Sequence, residues 1–377
     1  MADLGAGQPR RRRDVLTGAP DDTHVTTTNG RGGMAELRPG ERGGIVDVEG
    51  VLVGHDQRFD EHWATGASVV AVPEGATAAV DVRGGGPGTR ETDALHPTHL
   101  VQQAHAVVLA GGSAYGLAAA DGVMRRLAEC GHGLQVGQRP EEVVPIVPSA
   151  VLFDLPMGDW GNRPDAEFGY RAAVSADRTD TREGNVGAGT GAVAGSLKGG
   201  IGTASAVLDD GTTVGALMAV NSAGEVVDPS TGLPWYPVPG LRAPDPTEVA
   251  AGRPAGGRRG RHGPTGRPLN TTIGVVATDR RLTKAECHRV AVAAHDGIAR
   301  AVRPAHGMFD GDTVFALATG ARDGLPEAGE PSWATALDAV CSAAAHVVAV
   351  AIGRAVLAAE PVGEVTSYTI RYPSARE

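Results

Sequence analysis

Asn270-Thr271-Thr272 stands where a loop rich in Gly, Pro and Arg gives way to the apolar run Ile273-Gly274-Val275-Val276-Ala277. A hydroxyl residue at the mouth of a buried strand, behind a dispensable loop, is where a self-cleaving hydrolase keeps its nucleophile. Rupture of the Asn270–Thr271 bond would leave Thr271 with a free α-amine, and such an amine can act as the base for its own hydroxyl. A strand that merely opens on Thr after a turn has the same letters. The segment therefore needs partners.

Two carboxylates offer themselves in Phe309-Asp310-Gly311-Asp312-Thr313, just before another apolar run. Spaced two apart on an extended chain, Asp310 and Asp312 project to one side. They could orient an ammonium and a Thr hydroxyl, both of which donate to carboxylate oxygens. As a solvated turn they would do nothing. The pair lacks the His or third acidic ligand a metal would require, so no metal is expected. Asn221, in Val220-Asn221-Ser222, could donate its amide to an oxyanion, or could close an Asx-turn. Lys198 is the lone cation in Leu197-Lys198-Gly199-Gly200-Ile201-Gly202. It could lie near a site with a lowered pKa, or simply face solvent.

Glycine-rich runs at 83–89 and 184–191 suggest phosphate cradles at first sight. Neither ends in the Lys-Ser/Thr of a P-loop, and neither sits in a clean βαβ unit with a later acidic residue. Close backbone approach, for packing or to aim N–H groups at a carbonyl, is the better use of these glycines. No cofactor is expected.

The elements that must hold these residues follow from periodicity. Short β-type runs occur at Ser68–Val72, Thr77–Val82, Ala106–Leu109 and Val143–Leu152, with a helical pattern between them at Ala114–Glu129. Thr203–Leu208 and Thr213–Val220 flank Asp209-Asp210-Gly211 and read as a hairpin. After Ile273–Ala277, Thr283 with Glu286 three residues on predicts a capped helix to about Val302. A strand at Thr313–Ala318 and a long helix at Trp333–Leu357 follow. Strands in the middle and apolar helices towards the end make a layered α+β fold the natural class. Residues 1–43 are polar and aperiodic and read as a disordered tail, 44–377 as one catalytic domain, and 242–269 as a flexible loop within it.

Composition bounds the function. The net charge of −10 argues against a nucleic-acid binder, and the Arg clusters lie in the tail and the loop. Cys130, Cys287 and Cys341 show no disulfide or metal spacing and read as small buried residues in a reducing, cytoplasmic setting. The Arg-rich N-terminus lacks the apolar segment of a leader. The stretch Ala343–Ala359 is broken by His346 and Arg354, so it reads as a buried helix and no membrane partner is expected.

Several segments together resemble the L-aminopeptidase/D-esterase (DmpA) family, peptidase family S58. They include Gly50-Val51-Leu52-Val53-Gly54-His55, Thr65–Val70, Arg83–Glu91, Leu109–Leu117, Gly187–Gly191, Lys198–Gly202 and Val275–Asp279. The likeness runs in order from residue 44 to about 357. It implies a four-layer αββα sandwich of the type seen in N-terminal nucleophile hydrolases and in ornithine acetyltransferases. It also implies a precursor cut at 270/271 into chains 1–270 and 271–377. The nucleophile falls on Thr271, the oxyanion Asn on Asn221, and the orienting pair on Asp310 and Asp312. Asn270-Thr271 with two Asp is similar to the branch that opens 6-aminohexanoate (nylon) oligomers. Where that branch has a Tyr, Phe153 stands here, and Ser196 and Lys198 are the candidates for its Lys. The expected activity is hydrolysis of peptide-like or 6-aminohexanoate amides through an acyl-enzyme, in a homo-oligomer of processed pairs. An aminopeptidase or β-aminopeptidase, an acyltransferase of the ornithine acetyltransferase type, and a binding protein that has lost the chemistry are the rivals.

Overall fold

The structure, a computed structural model, describes residues 25–28, 34–252 and 269–376. Its main strands are β1 (Met34–Pro39), β2 (Leu52–Phe59), β3 (Ala64–Val82), β4 (Gln103–Ala110), β5 (Ser149–Val151), β6 (Gly200–Val207), β7 (Thr213–Asn221), β8 (Thr271–Arg281) and β9 (Thr313–Gly324). The helices that cover them are α1 (Ala119–Glu129), α2 (Ala166–Val174), α3 (Lys284–Ala301) and α4 (Pro331–Ala358).

One strand, β3, ties two sheets together. The sequence suggests two strands, at 68–72 and 77–82, because Pro73-Glu74-Gly75 interrupts the apolar pattern. The chain instead runs on through the interruption, with a register irregularity between Ala71 and Ala76 where it faces β4. The N-terminal half of β3 pairs with β2 and β4, and β5 continues that sheet. The C-terminal half pairs with β9 and joins the order β1-β6-β7-β8-β9.

Alternation along the strands builds four layers. In β8, Ile273, Val275 and Ala277 face the layer between the sheets, with Leu217 and Ala219 of β7, Phe315 and Leu317 of β9, and Val70, Val107 and Leu109 opposite. Val276 and its even-numbered counterparts Ala216, Met218 and Val220 face out against α3 and α4. The other sheet turns Val69, Val108 and Ala110 towards α1 and α2. The result is αββα, as the resemblance implies.

Helix starts follow their local signals. Thr283 and Glu286 form the anticipated capping box at α3, and Asp165 caps α2. The α2 helix has no equivalent in the sequence reading. The α4 helix is long and apolar enough to cross a membrane, but 78% of its apolar window is buried inside the fold.

Three expectations need correction. Residues 25–28 and 34–39, assigned to a disordered tail, are strands, and β1 pairs with β6 with Leu37 buried in the core. Pro246–Gly252, assigned to the loop, is a short helix that buries Val249; residues 253–268 lie outside the described residues. Cys130 is exposed, whereas Cys287 and Cys341 are buried, and all three are unpaired.

Candidate active site

Three neighbouring strands bring the chemistry together at one end of the sheet. Antiparallel pairing sets Asn221, the last residue of β7, opposite Thr271, the first of β8. Parallel pairing then sets Ile273 beside Thr313, and a bridge just before it joins Asn270 to Asp310. Asn221, Thr271, Asp310 and Asp312 thus converge although up to 91 positions separate them (312 minus 221). Asn221 and Thr271 share the parity of Ala219 and Ile273, so both belong to the inter-sheet side.

Thr271 is buried, and its Oγ lies 2.5 Å from the carbonyl oxygen of Asn270. That oxygen also accepts from the backbone N–H of Gly311 at 3.0 Å. Asn270 is held on its other side too: its N–H donates to Phe309 O at 3.1 Å and its Nδ2 to Asn221 O at 3.1 Å.

The two carboxylates do different jobs in the uncut chain. Asp312 accepts the Thr272 N–H at 2.8 Å on one oxygen, and His306 N (3.1 Å) and Nδ1 (2.8 Å) on the other. Asp310 accepts the Gly307 N–H at 2.7 Å on Oδ2, while its buried Oδ1 has no well-formed hydrogen bond. Burial, and then the neighbouring charge of Asp312, raise the Asp310 pKa above the ordinary carboxylate range, against the smaller pull of the Gly307 and Ala223 amides. Neither carboxylate bonds to the Thr271 hydroxyl among the described contacts. His306, four residues before Asp310, is a site residue the sequence reading passed over. His295 stacks edge-on against it with ring centroids 5.0 Å apart, and burial drops the His295 pKa to about 4, which keeps that ring neutral.

Asn221 does not close an Asx-turn. Its Oδ1 accepts Val193 N–H at 2.9 Å and its Nδ2 donates to Phe153 O at 3.2 Å, which fixes the amide from both ends. Phe153, at the position where a Tyr was sought, therefore contributes its main-chain carbonyl.

Lys198 is fully buried rather than at the surface. Its Nζ donates to the carbonyls of Gly189 (2.9 Å) and Gly199 (2.7 Å), and it forms no hydrogen bond with Thr271, Asp310 or Asp312. Burial lowers its pKa to about 7, opposed by the charge of Asp154. Asp154, also missed in the sequence, accepts from Thr65 Oγ1 at 2.7 Å and Gly112 N at 2.6 Å, and burial raises its pKa to about 6. Ser196, the other candidate, bonds to Glu225 and Arg371 instead.

The glycine-rich run at 83–88 serves packing. Arg83 N–H and Gly84 N–H donate to Asp312 O, Gly85 N–H to Gly307 O and Gly86 N–H to Asp310 O, which clamps the carboxylate loop. A Cβ on Gly84 would sit 2.2 Å from Asp310 O, so only glycine permits the clamp. Among the described residues, no three His, Cys, Asp or Glu side chains converge to hold a metal.

The αββα sandwich gives the fold class, that of the Ntn hydrolase fold, and comparison with known proteins gives the family. The chain matches the family described as "Peptidase family S58" over residues 43–370 and belongs to it. It is 52% identical over 345 residues to an uncharacterized aminopeptidase of Mycobacterium tuberculosis, covering 88% of this chain and 98% of that one. A 6-aminohexanoate-oligomer endohydrolase of Paenarthrobacter ureafaciens is 31% identical over 290 residues, covering 72% and 74%. Among solved structures, a Burkholderia sp. beta-aminopeptidase superposes with a TM-score of 0.65 at 26% identity, over 90% of this chain and 91% of that one. The L-aminopeptidase D-Ala-esterase/amidase of Ochrobactrum anthropi, a variant of the Ntn hydrolase fold, superposes equally well (TM-score 0.65) at 24% identity over 87% and 89%. The protein is a peptidase-type amide hydrolase.

Proposed function

We propose that the chain is a precursor that cuts itself between Asn270 and Thr271 and then works as an aminopeptidase with Thr271 as its N-terminal nucleophile. The observation that carries this reading is the 2.5 Å contact between the Thr271 hydroxyl and the Asn270 carbonyl, at the end of the sheet where Asn221 and both carboxylates meet. In the precursor, Thr271 Oγ attacks the Asn270 carbonyl carbon and water opens the resulting ester. In the mature enzyme the freed amine takes the hydroxyl proton. Asp310, whose Oδ1 has a lone pair to offer, receives the ammonium, and Asp312, fixed by His306, holds the Thr272 N–H at the start of β8. The second N–H of the Asn221 amide steadies the oxyanion of the substrate, a contribution of about 3 kcal/mol at comparable sites.

A free α-amine on the substrate fits the names of the relatives with more than half their residues in common with this chain, so L-aminoacyl amides and short peptides are the proposed substrates. Amides of 6-aminohexanoate, the substrate named for relatives at 31% identity, are the second test set. We place the enzyme in the cytoplasm as a homo-oligomer of processed pairs. Thr271→Ala is expected to remain one chain on a denaturing gel and to release no chromophore from an L-aminoacyl p-nitroanilide. A Thr271→Ala chain that still splits there, or still turns over, would refute the assignment.

A further inference from the structure

Among the described residues, the carbonyl whose peptide bond must break accepts one hydrogen bond besides that of its attacker. Gly311 N–H donates to Asn270 O at 3.0 Å, from a strip whose Phe309 O accepts Asn270 N–H at 3.1 Å. Asn221 is next to this carbonyl but turned from it: its Nδ2 donates to Phe153 O, and its contact with Asn270 runs through its own backbone oxygen. We infer that the Gly311 amide, and not the Asn221 side chain, is the oxyanion donor for self-cleavage. The inference rests on the reading that the 270–271 bond is cut.

The geometry makes the division of labour concrete. As the Thr271 Oγ–carbon bond forms, the carbonyl π pair moves onto the Asn270 oxygen, where the Gly311 N–H already points. The carbon–nitrogen bond then breaks, with the hydroxyl proton passing to the Thr271 nitrogen. Water cleaves the ester, leaving a carboxylate on Asn270 and restoring the Thr271 hydroxyl. The donor costs no reorganisation at the moment of reaction, because its strip is already fixed: Gly86 N–H holds Asp310 O at 2.9 Å. The absence of a side chain at 311 matters as much as the N–H. A Cβ there would stand 2.7 Å from Thr271 Oγ and 3.0 Å from Gly86 O, so any other residue displaces the nucleophile or the clamp.

The test removes the N–H and leaves every side chain in place, while the Asp310 carbonyl becomes a weaker acceptor for Gly86 N–H. Glycolic acid in place of Gly311, introduced by nonsense suppression in cell-free translation of the full chain, converts that amide to an ester. Self-cleavage should then slow by about 10²–10³-fold, the loss typical of one oxyanion donor. An ester chain that folds and splits as fast as its parent overturns the inference alone. A parent chain that never splits overturns the processing reading and this inference with it. Should the ester chain fail to fold, the uncut Thr271→Ala chain supplies the second measurement. A scalar coupling across the hydrogen bond between Gly311 ¹⁵N and Asn270 ¹³C′ is expected by NMR, and its absence in the folded chain overturns the assignment.

Discussion

Two buried carboxylate clusters flank Asn221, and they differ in how completely they are satisfied. On one side, Asp154 accepts on both oxygens and Lys198 donates to two carbonyls. On the other, Asp312 is saturated by Thr272 and His306, but Asp310 keeps a buried Oδ1 without a well-formed hydrogen bond. A closed network stiffens what it touches, whereas an unsatisfied buried acceptor is destabilising and persists where something uses it. The Lys198–Asp154 cluster accordingly reads as a support for the Phe153 carbonyl and the Asn221 amide. The Asp310 cluster reads as the working end.

The largest effect that would break this contrast is Asp310→Asn. Its expected result is a loss of at least about 100-fold in anilide hydrolysis, on the scale of a lost acid–base or orienting group. Stability should hold or improve, since the raised pKa means that the charged carboxylate is already disfavoured by burial. Loss of fold rather than of rate, seen as a collapsed melting temperature, would place Asp310 among the supports.

Lys198→Met should behave in the opposite way. Leaving the buried Gly189 and Gly199 carbonyls without their donor is expected to destabilise the fold by about 1–3 kcal/mol, read from denaturant unfolding, while the folded variant still cuts at 270–271. A pH dependence sharpens the comparison. Between about pH 7 and 10.5 the unfolded chain holds a proton that folded Lys198 has shed, so stability rises with pH there. Between 3.8 and about 6, folded Asp154 keeps a proton that the unfolded chain has lost, so stability falls as pH rises. The parent should therefore gain melting temperature from about pH 7 to 9, and Lys198→Met should lose that gain. An unchanged slope in the variant would remove Lys198 from the supporting cluster.

The sequence disclosed what depends on local pattern. The Thr283 cap, the hairpin at Asp209-Asp210-Gly211 and the strand behind Thr271 all stand where their residues suggest. Asn221, Thr271, Asp310 and Asp312 were readable as candidates because each sits at or just before a strand end, and the pairing of β7, β8 and β9 unites them. What stayed hidden depends on how the chain folds back on itself. Lys198 is held inside by the carbonyls of Gly189 and Gly199 on its Nζ and by Thr366 O on its N–H, and no local pattern encodes that. His306 was overlooked because its link to Asp312 needs a turn that folds back on itself. The glycine-rich motif at 83–89 could suggest close approach, but not that the approach is to the carboxylate loop. The unbroken course of β3 through Pro73-Glu74-Gly75 was hidden because a bulge and a turn share the same residues.

Mass spectrometry of the purified protein, joined to N-terminal sequencing, tests the central claim most directly. Two polypeptides are expected in active material, one ending at Asn270 and one whose first residue is Thr271 with a free amine. A single species near 38.3 kDa that hydrolyses L-aminoacyl anilides would contradict it.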